Sequence, residues 1–351
     1  MSDPAVNNTP PSIYPWQEAL WDRLIASRKR LPHALLLRGK SGIGKQDFAQ
    51  AFTNALLCEA PLARGFACGV CASCGWFAQD NHPDFRQLSP EQESAGEDET
   101  PAPAKTGKKT QISVAQVREL GTFFELSSHH GDGYRIALIS PAEALNQTSA
   151  NALLKMLEEP PAGVIFILVS HQPQRLLATI TSRCHKVDMP MPDRDAAVAW
   201  LTAQGIKEAA KQLDYAGESP LTVLANADIG ITQFMPLWKQ LSLGARMDVF
   251  SLAPLCAALG MDAAIQVLQK WCYDLLGSRS GIHPRYHADH AAPLQALAER
   301  VDLGLLLDFE RKLNEARKSA SHPLNNELQL ENILLNYTQL FKKQLSSTTT
   351  R

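Results

Sequence analysis

Net charge is nearly absent from this chain of 351 residues, in which 34 basic residues face 36 acidic ones and leave −2. That excludes a global basic field drawing in nucleic acid. Any DNA contact must be a local patch or come through partners. Long apolar runs are absent too, since the longest, VIFILV at 164–169, is far too short to span a bilayer. The N-terminus, MSDPAVNNTPPS, lacks the basic and apolar stretches of a signal peptide. A cytoplasmic location is therefore expected. With 45% hydrophobic and 20% charged residues, the composition is globular and excludes a disordered or fibrous protein. The length suggests roughly two to three domains.

Seven cysteines are present, but their placement argues against a disulfide framework. Cys58, Cys68, Cys71 and Cys74 cluster, while Cys184, Cys256 and Cys272 are scattered. Without a secretion signal, a tight cysteine cluster in a large chain reads as a metal site. The scattered three read as small buried hydrophobes.

Along the chain, residues 1–12 read as a frayed tail and 14–30 as an amphipathic helix with Trp16, Leu20, Leu24 and Ile25 at helical spacing. A short apolar run at 34–37, a Gly-rich turn and a helix at 47–57 open a parallel α/β sheet. Residues 89–111 hold Pro, Gly and charges of both signs, with no apolar residue larger than alanine. Such a segment cannot offset its ordering entropy and is expected to be a disordered insertion. A helix at 114–126, a strand at 135–140, a helix at 149–158 stopped by Pro160-Pro161, and a strand at 164–170 follow. This gives three expected domains: an α/β P-loop domain at 1–190, a small helical lid at 191–232, and an all-helical collar at 233–351. In the last helix Leu330, Ile333, Leu334, Tyr337, Leu340 and Phe341 fall on one face.

Three motifs carry chemistry. GKSGIGKQ at 39–46 fits G-x-x-x-x-G-K but has Gln46 where Ser or Thr would place a hydroxyl on Mg²⁺. Gly39, Gly44 and Lys45 are the candidate phosphate-binding residues, because backbone amides of such a loop at a helix start form an anion nest. The acidic partner is missing as well. P-loop ATPases hold Mg²⁺ with a strand-end Asp, and here the strand runs into Ser140-Pro141-Ala142-Glu143. Glu143 lies beyond the expected positions and reads as a solvated helix-start residue. No ATP hydrolysis is expected.

The second motif, Cys58-x9-Cys68-x2-Cys71-x2-Cys74, has the spacing of a closed tetrahedral zinc site, with no position left for a catalytic water. His82 is a competing ligand candidate that reads more simply as an isolated surface histidine. The third is Thr181-Ser182-Arg183-Cys184, after the second buried strand and an intervening helix-like stretch. Alone, an Arg there is a solvated charge; in a P-loop domain it has the position of an arginine finger reaching a neighbouring subunit's nucleotide.

LPHALLLRGKSGIGK, the four-cysteine insertion, NQTSANALLKMLEEPP and TITSRC together resemble the bacterial clamp loader subunits of the AAA+ class. The resemblance covers most of 14–190 and continues weakly through the helical part. It implies an α/β AAA+ domain, a small helical domain and a helical collar. It also implies a hetero-pentameric ring with delta and gamma/tau subunits, which places a sliding clamp on primed DNA as part of the DNA polymerase III holoenzyme. Motor subunits of the family keep Thr after the P-loop Lys, an Asp-Glu pair, and an Arg in the small helical domain. Here those positions read Gln46, Ser140-Pro141 and Gly217-Glu218-Ser219-Pro220. Arg183 is kept, which implies a stator-like subunit that completes its neighbour's ATP site. The competing readings are an active motor subunit of the same family and a zinc-bearing DNA adaptor. The adaptor predicts a basic patch around the cysteines, yet Arg64 and Arg86 are the only basic residues from Asn54 to Ser89.

Overall fold

The computed structural model describes residues 13–90, 111–125, 133–227, 231–319 and 326–341. The expected disordered insertion falls, from 91 to 110, outside the described residues, as does the N-terminal tail. The chain divides into two compact units. Met1–Ala197 with Ser219–Thr222 forms one, and Val198–Glu218 with Val223–Arg351 the other.

The first unit is built on five strands, β1 (Ala34–Arg38), β2 (Phe85–Leu88), β3 (Arg135–Ile139), β4 (Val164–Ser170) and β5 (His185–Asp188). They pair in the order β2-β3-β4-β1-β5, and every pairing is parallel. All of β3 and β4 is buried, so both faces of the sheet must be covered. Among the described residues six α-helices accompany it: α1 (Glu18–Ala26), α2 (Lys45–Leu57), α3 (Ala72–Ala78), α4 (Val114–Glu125), α5 (Gln147–Glu158) and α6 (Ala178–Arg183). Leu35, Leu37, Ile165, Ile167 and Val169 share a core with Trp21, Phe48 and Phe52 of α1 and α2. Their neighbours Leu36, Phe166 and Leu168 join Val117, Leu120, Leu153 and Leu157 of α4 and α5. Alternate strand residues thus feed opposite cores, as the two-residue period requires.

Register brings the strand ends level. Arg38 pairs with Ser170 and with Asp188, and Ile139 with Leu168. The segments leaving β1, β3 and β4 therefore emerge together at the carboxyl edge, where ligands bind in open α/β sheets. The edge strands β2 and β5 had no apolar signature, because FRQL and HKVD expose half or more of their residues. Asn146 caps α5 by accepting the Ser149 amide at 2.9 Å, and the Pro160-Pro161 pair ends it.

From α7 (Arg194–Ala203), whose first turn counts with the α/β unit, the described chain is helical. It continues through α8 (Ala209–Tyr215), α9 (Pro220–Ala225), α10 (Met235–Leu241), α11 (Val249–Leu259), α12 (Met261–Arg279), α13 (Ala291–Ala298), α14 (Leu303–Ser319) and α15 (Asn326–Gln339). The expected last-helix face, Leu330 to Phe341, is buried throughout in one core with Trp271 and Leu268 of α12. An α/β sheet domain followed by a helical C-terminal part is the architecture that the AAA+ resemblance implies.

Two polar devices lock the helical unit. Asp274 of α12 accepts the backbone N–H groups of Arg285, Tyr286 and His287 at 2.8–2.9 Å, and His287 Nδ1 at 2.8 Å. One buried carboxylate thereby pins the whole turn after α12. The fully buried Trp271 donates through Nε1 to Tyr337 Oη at 2.8 Å, and that hydroxyl donates to Leu241 O at 2.8 Å. Tyr337→Phe would strand the indole N–H and the carbonyl without solvent. A loss of about 1–3 kcal/mol is expected, read as a lower urea midpoint at unchanged slope.

Candidate functional site

The P-loop leaves β1 and enters α2, as the motif requires. Gly42 and Gly44 take positive φ values of 77° and 83°, which only glycine adopts freely. Space demands glycine as well. A Cβ on Gly42 would lie 2.2 Å from Thr222 Oγ1, and one on Gly44 2.4 Å from the Tyr14 ring. The loop is thus covered from two sides, by Tyr14 and by the Ser219–Thr222 segment, where the Leu221 amide donates to Gly42 O at 3.1 Å.

An N-terminal strap completes the cover. Pro15–Gln17 forms a short 3-10 turn. Trp16 Nε1 donates to Ile43 O at 3.0 Å, Gln17 Nε2 to Ile43 O and Gly44 O at 2.9 Å, and Tyr14 Oη to Asp47 at 2.8 Å. Helical spacing had placed Trp16 on the apolar face of the first helix. Pro15, a natural first helical residue, was the signal that the helix starts later and leaves Trp16 to the loop.

Lys45 is 2% exposed. Its ammonium donates to Gly39 O at 2.8 Å and to Lys40 O, so two of three donors are spent on its own loop. Burial pushes its pKa down to about 8, against the pull of the Glu143 carboxylate.

Glu143 corrects an expectation. It does start a helix, the 3-10 turn Ala142–Ala144, but it is not solvated and sits partly buried at the carboxyl edge. Its Oε1 accepts the His171 amide at 3.0 Å, beyond β4, and its Oε2 is buried without a hydrogen-bond partner among the described residues. His171 Nδ1 and Gln46 Oε1 are likewise buried and unpartnered. Burial, then Lys45, lowers the His171 pKa while Glu143 opposes them. The periodicity could not show this, because a carboxylate beyond a proline looks solvated until its neighbouring strand end is placed beside it.

The four cysteines converge. Cys58 follows α2, Cys71 caps α3 and Cys74 lies within it, and all four Sγ atoms lie within 4.8 Å of one another. A tetrahedron of bonds near 2.3 Å has edges of about 3.8 Å. Cys58–Cys71 and Cys68–Cys74 are 4.0 and 3.9 Å apart, so the donor set fits a metal ion. The amides of Cys68, Cys71 and Cys74 donate to Cys58, Cys68 and Cys71 sulfurs at 3.2–3.4 Å, the support that thiolates need. The Val70 and Cys71 amides pull the Cys68 pKa down to about 6.

His82 is the second correction. It is 1% exposed, not on the surface, and holds the cluster from behind. Nδ1 accepts the Asp84 amide at 3.0 Å, so the proton is assigned to Nε2, which meets Ser73 Oγ at 2.8 Å. That hydroxyl donates to Leu57 O at 2.7 Å, tying the start of α3 to the end of α2.

Arg183 ends α6. Its Nη1 donates to Thr179 O at 3.0 Å, and Nη2 lies 2.5 Å from Glu158 Oε1 at the end of α5. Both side chains are partly exposed. Sequence reasoning missed Glu158 as the partner, since the two residues lie 25 positions apart and meet only through the packing of α5 beside α6.

Two family descriptions match this chain. Residues 16–193 match "DNA polymerase III, delta subunit", and residues 233–339 match the C-terminal domain of that subunit. The chain belongs to this DNA polymerase III delta-subunit family, and its first unit is an α/β domain around a parallel sheet. Within the family its curated relatives are delta-prime subunits. The DNA polymerase III subunit delta′ of Pseudomonas aeruginosa is 43% identical over 214 residues, covering 60% of each chain. That of Escherichia coli is 35% identical over 193 residues, covering 54% of this chain and 53% of the relative. The matches thus span little more than half the length of those relatives. A gamma subunit-related protein from Thermotoga maritima overlays 93% of this chain and 100% of its own, at 17% identity and a TM-score of 0.43, and adds nothing to the fold already described.

Lys45 gives this site a pH signature. A lysine with a folded pKa near 8 and an ordinary one of 10.5 costs stability while charged, below about pH 8. The cost is relieved as pH rises from 8 towards 10.5, where the unfolded chain binds more protons. Lys45→Met should flatten that rise, as measured by denaturant unfolding of both proteins from pH 7 to 10.5.

Proposed function

We propose that this chain is a non-hydrolysing, stator-like subunit of the DNA polymerase III clamp loader. The observation that carries the reading is Lys45, buried and turned onto Gly39 O and Lys40 O beneath a covered loop. With Gln46 in place of a hydroxyl and no carboxylate at Ser140 or Pro141, no group at the expected positions holds Mg²⁺ for hydrolysis. Arg183, by contrast, ends its helix with a partly exposed guanidinium. Such a fork of donors suits phosphate oxygens, and in trans it completes a neighbour's ATP site.

In this reading the partners are the delta and gamma/tau subunits of a five-membered ring, with the sliding clamp and primed DNA met through the assembly in the cytoplasm. Residues 191–232 serve as a lid and 233–351 as the collar. Phe250 and Leu255 on α11, with Leu328 and Leu335 on α15, support a collar interface, being 43–70% exposed on apolar side chains.

The metal is zinc in a structural role, held by Cys58, Cys68, Cys71 and Cys74. Freshly purified, reduced protein should carry one zinc per chain by elemental analysis, and finding no metal would remove the assignment. Chelation should loosen the segment from Cys58 to His82 without unfolding the α/β core, seen as faster hydrogen exchange confined there.

The function is tested by reconstitution. The isolated chain should show no ATP turnover above background. Mixed with its motor subunits it should stimulate theirs, and Arg183→Ala should cut that stimulation in part, since one site of several is affected. A finger in trans is worth about 10³–10⁵ in rate at its own site. Arg183→Lys should not rescue, because an ammonium lacks the fork. Unchanged turnover by an assembled Arg183→Ala complex would reject the finger role.

A further inference from the structure

We infer that Glu158 is a latch that stows Arg183 until a phosphate displaces it. The inference rests on the finger reading above and deepens it, naming what holds the guanidinium before a neighbour's nucleotide arrives. The geometry is that of a parked side chain. Nη1 is tied to Thr179 O, on the helix that Arg183 itself ends, and Nη2 to one carboxylate oxygen of Glu158.

A second ion pair of the same unit shows the contrast. Arg38 and Asp188 meet in bidentate fashion, Nε–Oδ1 at 2.6 Å and Nη2–Oδ2 at 3.0 Å, bracing β1 against β5 at the level where these residues pair. Arg183 and Glu158 share one close contact, with side chains 35% and 49% exposed. Such a pair is weak and screened by salt, so it exchanges readily.

Charge decides the direction of the exchange. A carboxylate that stayed on the guanidinium would set its negative charge beside the incoming phosphate and cancel the charge the finger brings. Glu158 must therefore leave when Arg183 engages. It acts only through Arg183 and is a positioning residue. Its place at the end of α5 makes the latch depend on how α5 meets α6, so a shift between those helices would alter finger release.

The test is steady-state ATP turnover by the reconstituted complex across ATP concentrations, without DNA, comparing wild type, Glu158→Gln, Arg183→Ala and the double variant. Glutamine keeps the size and an acceptor oxygen but removes the charge. Turnover at sub-saturating ATP should rise up to about fivefold in Glu158→Gln, the range set by an exposed ion pair. Added salt should narrow the gap, and the gain should vanish in the Arg183→Ala background. A fall in turnover with Glu158→Gln would mean that Glu158 presents the finger, and would overturn the latch. No change with Glu158→Gln while Arg183→Ala lowers turnover would also overturn it and leave the finger standing. No effect of Arg183→Ala in an assembled complex would remove both. Size-exclusion profiles and melting temperatures of the four proteins separate these outcomes from misassembly.

Discussion

Strand β4 is the constraint on which the α/β unit depends. All seven of its residues are buried, and it lies between β1 and β3 in the middle of the sheet. A strand with no solvent face forces helices onto both sides, and the two cores on either side of Phe166 are the result. It also sets the register of its neighbours, and hence which chain segments meet at the carboxyl edge. The P-loop after β1, the Ser140–Glu143 stretch after β3 and His171 after β4 come together for that reason, though Lys45 lies 98 residues before Glu143 and 126 before His171 in sequence.

The polar groups gathered at that edge draw most of their partners from within the chain. A buried ammonium must find acceptors or lose its charge. Lys45 finds loop carbonyls close by and the Glu143 carboxylate at longer range. Glu143 is itself held by the His171 amide. In the strap, Trp16 and Gln17 add donors to the Ile43 and Gly44 carbonyls, and Tyr14 donates to Asp47. Lys45, the loop carbonyls and Glu143 Oε1 find their partners within the chain, while Glu143 Oε2, His171 Nδ1 and Gln46 Oε1 are buried without one among the described residues. Those partners let the loop keep its shape on protein contacts alone.

What the sequence disclosed follows from the range over which each force acts. The strands β1, β3 and β4 were legible because they are continuous apolar runs, and the Gly-rich turn because its spacing is local. The cysteine cluster was legible for the same reason, with its ligands within a short span. The last helix was legible because Leu330, Ile333, Leu334 and Tyr337 repeat at helical spacing. The short edge strands were not, since FRQL and HKVD stay half exposed and carry no burial pattern. His82 and Glu143 were misread because a lone polar residue carries no sign of burial. Ser73 in one case, and the His171 amide in the other, supply partners that make burial tolerable, and only the fold brings them near. Glu158 escaped notice for the same reason, hidden at the end of a helix whose neighbour is α6.

The glycines of the loop show that packing alone can demand a motif. Gly42 and Gly44 are required here by positive φ and by the nearness of Thr222 and Tyr14. Both demands come from packing within the chain. A substitution at either glycine would displace the 219–222 segment or the strap, and it would be destabilising whether or not a nucleotide ever occupied the loop. Gln46, in contrast, contributes no hydrogen bond through its buried Oε1, and nothing in the packing compels a hydroxyl there. G-x-x-x-x-G-K in a sequence therefore reports the shape of a loop, and in this chain contacts with Thr222 and Tyr14 suffice to require that shape.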